Sequence, residues 1–260
     1  MSVALTVSDT IVLARRNLKR IPRQPDLLLA YTVQPVMFVL LFIYVFGGAI
    51  VTPGFDYVDF LIPGIIVQSI AFGGFVTALG LSDDLRKGLI DRFRSLPMSR
   101  AAVLAGRTLA DLATNTLSLV VLVTVGVIVG TIAGFSFDAP LTHIVAGILL
   151  LLLFGYAFSW VFAFVGLTSS SPEAAQSLGF IVIFPLTFVS SAFVPVESMP
   201  GALQAFAEVN PFTIVVDAMR SLLLGAPAGN NVWGAVAWSL GIAIVFAVLS
   251  VRKYKRAVVR

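Results

Sequence analysis

The sequence predicts an all-α, polytopic membrane protein with six transmembrane helices, an N-terminal interfacial helix, a cytoplasmic loop helix and external re-entrant helices. Three observations carry that prediction. The first is composition: 58% of the 260 residues are hydrophobic and only 12% are charged, with a mean hydropathy of +1.01. A soluble domain usually carries about 25% charged residues, so lipid is the solvent that suits this chain. The second is a series of apolar runs, each long enough to cross a hydrocarbon core of about 30 Å, which takes roughly 20 residues. The third is the distribution of basic residues between those runs.

The runs are bounded by charge or by Pro/Gly turns and fall at residues 27–50, 58–81, 108–133, 141–167, 176–194 and 232–251. Arg15, Arg16, Lys19, Arg20 and Arg23 precede the first run. Arg86, Lys87, Arg92, Arg94, Arg100 and Arg107 lie between the second and third. Arg252, Lys253, Lys255, Arg256 and Arg260 end the chain. Together these are sixteen of the seventeen basic residues, and only Arg220 stands elsewhere. Six spans put all three segments on one side, which the positive-inside rule makes cytoplasmic. The opposite loops carry Asp56, Asp59, Asp138, Glu197, Glu208 and Asp217. Five basic residues before a full-length span, with no small-residue cleavage site after it, argue against a signal peptide. Topology thus accounts for the net charge of +4, and no nucleic-acid partner is expected.

The six spans and their connectors use the whole chain as a single transmembrane domain, residues 1–260. Residues 8–23 form the interfacial helix. Ser8 is its N-cap, Ile11, Ala14, Leu18 and Ile21 make an apolar stripe, and the arginines and lysines occupy the remainder. A simple topology signal held by anionic lipid explains the same charges. Pro35, Pro63 and Pro185 interrupt spans one, two and five and are expected to kink them. After span two, Leu85, Leu89, Phe93 and Leu96 recur at helical spacing among Asp83, Asp84, Arg86, Lys87, Asp91, Arg92 and Arg94. Helix connections need about 2–8 residues, so this longer, patterned loop reads as a helix over 83–96 with something to contact. Its charges are mixed in sign, which suits a protein partner better than lipid; the competing reading is a solvated loop. On span three, Gly126, Gly130 and Gly134 repeat every fourth residue and offer a close-packing face.

Residues 195–224 hold two short amphipathic stretches. Ala202, Leu203, Phe206 and Val209 make one apolar face. Beyond Asn210-Pro211, the residues Phe212, Val215, Val216, Met219, Leu222 and Leu223 make another. Each is too short to cross, so they read as half-depth helices that enter and return. Asp217 and Arg220, at i and i+3, can pair.

The chemistry of membrane enzymes is missing. No G-x-x-x-x-G-K-[ST] loop, H-E-x-x-H or G-x-S-x-G motif is present, and the single histidine, His143, has no second histidine to share a metal. The absence of cysteine excludes disulfides, thiolate metal sites and cysteine nucleophiles. Asp111 sits near the cytoplasmic end of span three, within reach of water or of Arg107. Gln34, Gln68 and Asn115 fit either of two roles, lining a substrate path or bonding between helices.

Three stretches carry a resemblance to a known family. They are D-L-R-K-G-L-I-D-R-F-R-S-L-P-M-S-R at 84–100 leading to A-G-R-T-L-A-D at 105–111, F-P-L-T-F-V-S-S-A-F-V-P-V-E-S-M-P at 184–200, and N-P-F-T-I-V-V-D-A-M-R at 210–220. In order and spacing the chain resembles the permease subunits of type-2 ABC exporters, in the branch of daunorubicin-resistance and other drug or lipid exporters. One departure is Lys87-Gly88, where many relatives have an acidic residue before the glycine. The resemblance implies a non-catalytic permease of a bacterial plasma-membrane exporter, with both termini cytoplasmic, moving hydrophobic or amphipathic molecules. It implies two ABC ATPase subunits, which bind the ATP and magnesium, and a second permease chain, identical or related. The helix at 83–96 becomes the coupling helix, with Asp84, Arg86, Lys87, Asp91, Arg92, Phe93 and Arg94 as ATPase contacts. The alternatives are an ion-gradient-driven secondary transporter, usually longer and built of repeats with buried ionisable groups, and a membrane-embedded enzyme.

Overall fold

The computed structural model describes residues 33–34, 36–50, 52, 56–88, 139–225 and 231–257, with positions 104, 106–113, 115–116, 119–120 and 124 of the third span. Among these residues every regular element is a helix. The expected interfacial helix at 8–23, the loop from residue 89 to 103 and the glycines of span three at 126, 130 and 134 lie outside the described residues.

The first span contributes α1, Val36–Phe46, whose final turn Phe42–Phe46 is π-helical and gives way to Gly47-Gly48. The second span is α2, Tyr57–Phe72, continued by α3, Gly74–Arg86, after a one-residue interruption at Gly73. Pro63 lies within α2, near its start. Helix α4 is Leu141–Thr168, entered from Pro140 in extended backbone and stopped by Ser169 in extended backbone. Ser171 then caps α5, Pro172–Phe188, by accepting from the Ala174 N–H at 3.2 Å, with Pro172 at the first helical position, where no N–H is needed. A short 3-10 turn, Val196–Ser198, precedes α6, Gly201–Val209, and α7, Pro211–Leu224, which Gly225 ends with a φ of 69°. The last helix, α8, is Asn231–Ala257. Three helical stretches, Tyr57–Arg86, Leu141–Thr168 and Asn231–Tyr254, are long and apolar enough to cross a membrane, while Val36–Phe46 and Pro172–Phe188 are shorter apolar helices.

Two boundaries differ from the sequence expectation. The helix expected to end at Leu81 continues to Arg86, because the charged residues that follow are met by Lys87 and Arg86 on the same helix and by Arg107 of a neighbouring one. Asp83 accepts from Lys87 Nζ at 2.6 Å and lies 3.7 Å from Arg86, while Asp84 is buried inside the bundle. Residues 83–86, expected to open a separate loop helix, are therefore the last turn of α3, and Gly88 turns the chain away with a φ of 65°. The helix of the expected fifth span ends at Phe188, six residues before Val194. There, side chains take over from the helical ladder: Ser190 Oγ donates to Thr187 O at 2.6 Å, and Asn210 Nδ2 donates to Leu186 O and Val189 O.

Helix α4 is the central column, packing against α2, α3, α7 and α8. Phe154 and Phe158 pack 4.7 Å apart and meet Phe212 of α7 edge-on at 5.2 and 5.1 Å. Lipid is as apolar as these side chains, so close packing rather than exclusion of water holds such helices together. Gly166 shows how close: a Cβ there would lie 2.6 Å from the Ala78 carbonyl oxygen of α3. Helix α5 buries only the narrow stripe Ala175, Gly179, Ile183 and Thr187 and leaves Leu178, Phe180, Ile181 and Phe184 exposed. Helix α8 likewise exposes Trp233, Trp238, Ile244 and Val245, as a lipid-facing surface requires.

Candidate functional site

The described bundle carries charge in two buried knots at opposite ends of the second span. The outer one is built on Arg220 of α7. Its Nη1 donates to Asp217 Oδ1 at 2.8 Å, the i, i+3 pair the sequence anticipates. The sequence does not reveal the rest. Arg220 Nε and Nη2 donate to Phe60 O at 3.0 and 2.8 Å, Nη2 donates to Ser191 O at 2.5 Å, and the guanidinium carbon lies 3.5 Å from the centre of the Phe60 ring. Ser191 Oγ donates to Asp217 Oδ1 at 2.8 Å and closes the circuit. Only the planar, five-donor fork of arginine can tie two backbone carbonyls, a carboxylate and a ring face at once.

Asn210 supports the knot from the start of α7. Its Oδ1 accepts from the Phe212 N–H at 2.9 Å, as an N-cap should, while its Nδ2 bonds the carbonyls of Leu186 and Val189 at 2.8 and 2.7 Å. One side chain thus caps α7 and satisfies the frayed end of α5. Tyr57 Oη donates to Phe193 O at 3.1 Å and fastens the same turn to α2.

The inner knot joins α3 to the third span. Thr77, Gly80 and Asp84 share one face of α3 at i, i+3 and i+7; Arg107 and Asp111 share one face of the third span at i and i+4. Arg107 Nη2 donates to Val76 O at 2.8 Å, and Nη1 lies 3.6 Å from Asp84 Oδ2. Thr77 Oγ1 donates to Asp111 Oδ2 one turn further in. The guanidinium lies where Gly80 has no side chain: a Cβ there would stand 2.6 Å from Arg107 Cζ. The side chains of Arg107 and Asp84 are only 10% and 8% exposed.

Asp84 therefore corrects the sequence expectation. Expected on a partner-contact surface, it is turned inward and engaged by Arg107. Arg86 and Lys87 point outward, with side chains 60% and 56% exposed, bridged to Asp83. Asp91, Arg92, Phe93 and Arg94 lie outside the described residues. Of the path candidates, Gln34 is exposed, whereas Gln68 and Asn115 are buried. Asn115 sits in a slot against Gly73 and Gly155, and a Cβ on Gly155 would come 2.9 Å from its Nδ2. Neither Asn115 Nδ2 nor Gln68 Nε2 has a hydrogen-bond partner among the described residues.

Known proteins bear on this arrangement. Residues 8–224 match the family described as ABC-2 type transporter. The chain is 35% identical to the "Daunorubicin resistance ABC transporter permease protein DrrB1" of Streptomyces coeruleorubidus, over 97% of this chain and 88% of that one. It is 26% identical to the "Probable doxorubicin resistance ABC transporter permease protein DrrC" of Mycobacterium tuberculosis (strain ATCC 25618 / H37Rv), over 97% of this chain and 90% of that one. With a family match from the N-terminal segment to the end of α7, and apolar membrane helices organised around two buried arginines, the chain belongs to the ABC-2 type transporter family.

Proposed function

We propose that this permease is the membrane-spanning part of an ATP-driven exporter that moves hydrophobic or amphipathic molecules, drug-like or lipid-like, out of the cytoplasm or the inner leaflet. The observation that carries the reading is the 35% identity to a daunorubicin-resistance permease across 97% of this chain. Hydrolysis belongs to two separate ABC ATPase subunits, which bind the ATP and magnesium, and two permease chains, identical or related, complete the complex. In this reading the chain lies in a bacterial plasma membrane with both termini in the cytoplasm, a placement supported by the basic residues of its tails and of the loop after α3.

In this reading the loop after α3 docks on the ATPase. Arg86 and Lys87 support it through their exposure, and Asp91, Arg92, Phe93 and Arg94 continue the same charged surface in sequence. Gln34, Gln68 and Asn115 line the substrate path. The amide donors of Gln68 and Asn115 have no partner among the described residues, which supports that role over helix–helix bonding, because a buried unmade hydrogen bond costs about 1–3 kcal/mol.

The test is reconstitution of the chain with its ATPase in inverted vesicles, with uptake of daunorubicin and of a fluorescent phospholipid followed after ATP addition. Export that needs ATP hydrolysis and survives collapse of the ion gradients is the expected result. Uptake driven by an ion gradient without ATP would establish a secondary transporter instead, and chemical conversion of the substrate a membrane enzyme.

A further inference from the structure

The inner knot spans a place that is otherwise a weak point. The helix α3 ends at Arg86, the third span is helical again by Leu104, and the segment between them is the cytoplasmic loop. Any force on that loop reaches the membrane through two stems, and two stems joined only by apolar packing could slide past each other. The structure fastens them instead. Asp84 on one stem and Arg107 on the other face each other at 3.6 Å, Arg107 also bonds the Val76 carbonyl, and Thr77 and Asp111 tie the same two helices one turn deeper.

We propose that Asp84 and Arg107 are positioning residues for transport: they clamp the two loop stems into one rigid unit, so that a displacement of the loop moves the second and third spans together. The proposal rests on the reading that the loop receives the ATPase's motion. Three observations carry it. The pair is nearly dry, at 8% and 10% side-chain exposure, so removing the charges from water is offset only while both partners are in register. Buried ionic groups are poor at adding stability but good at specifying one arrangement over its neighbours, which is what a stem junction needs. Gly80 leaves room for the guanidinium to lie along α3, so the pair is built into the helix face rather than reaching across it. A transmitted motion also requires a physical link with a defined geometry, and no other ion pair between these two helices is found among the described residues.

The test uses the fact that the chain has no cysteine of its own. The double variant D84C/R107C, combined with a cysteine-free ATPase, is purified as the whole complex and reconstituted, then measured before and after treatment with a short bismaleimide that joins the two thiols. Before treatment, export is expected to fall about tenfold or more, within the usual range of coupling between sites, while ATP hydrolysis and ATPase association persist. After cross-linking, export is expected to recover, because a covalent link replaces the ionic one. Unaltered export before treatment overturns the clamp. So does a loss of hydrolysis, association and export together that the cross-link does not restore, since the pair would then only maintain the fold. A wild-type complex without ATP-driven export would refute the exporter reading itself, and is told apart by that control.

Discussion

Replacement of Arg220 by methionine keeps the apolar stem and removes every polar contact that Arg220 makes. Ser191 O loses its guanidinium donor, at about 1–3 kcal/mol, and Phe60 O, which keeps its place in the helical ladder of α2, loses its guanidinium bonds at about 0.5–1.5 kcal/mol. Loss of the cation from the Phe60 ring adds about 0.5–1 kcal/mol. Asp217 has a side chain 34% exposed and keeps its bond from Ser191, so water screens its lost partner and its share is small. The total is about 2–5.5 kcal/mol, a large part of the stability of an ordinary domain. Lysine should recover about half, because one ammonium group cannot face two carbonyls and a carboxylate in the fork geometry. The assay is reversible unfolding in mixed detergent micelles, followed by the fluorescence of Trp160, Trp233 and Trp238. An R220M protein that unfolds within about 1 kcal/mol of wild type would refute the reasoning, since the Ser191 carbonyl and the ring contact together come to at least about 1.5 kcal/mol.

Other outcomes follow from the same geometry. Asn and Asp are equivalent at ordinary N-caps, but here N210D should be less stable than N210A, because a carboxylate would face the Leu186 and Val189 carbonyls; denaturant titration ranks the two. Single cysteines at positions 55, 137 and 205 should react with an impermeant maleimide in intact cells, and cysteines near 95 and at 260 only after lysis; labelling at 95 from outside would overturn the topology. Charge reversal at Asp91, Arg92 and Arg94 together should weaken ATPase association in co-purification and stop export, with membrane insertion preserved by Arg86, Lys87, Arg100 and Arg107. Normal association in that triple variant would leave the loop as a topology signal alone.

Helix α4 was legible in the sequence almost to the residue, because an uninterrupted apolar run between Pro140 and Ser169 leaves few ways to be wrong. The end of α3 was not. Hydropathy reads Ser82-Asp83-Asp84 as an exit from the membrane, yet a helix continues through charges when tertiary partners absorb them, and Arg107 lies 23 residues further on. The pairing of Asp217 with Arg220 was visible because it is local on one helix turn; the link from Arg220 to Phe60 was not, because a backbone carbonyl leaves no mark in the sequence. One signal did point to it. Arg220 is the only basic residue outside the three segments that the positive-inside rule reads as cytoplasmic, and a lone arginine among apolar helices needs a partner. Asp84 shows the converse error: a carboxylate in a charged run reads as surface until the facing helix supplies its cation.

The bond between Arg220 and Phe60 joins positions 160 residues apart, which has a consequence for how the protein is made. A membrane protein is threaded into the bilayer from its N-terminus, so the second span enters long before the arginine that bonds its Phe60 carbonyl has been synthesised. Until α7 arrives, the bond from Tyr57 Oη to Phe193 O is the described polar link between the start of α2 and the turn after α5. The Arg220 knot is thus a late, long-range closure that waits for all but the last helix.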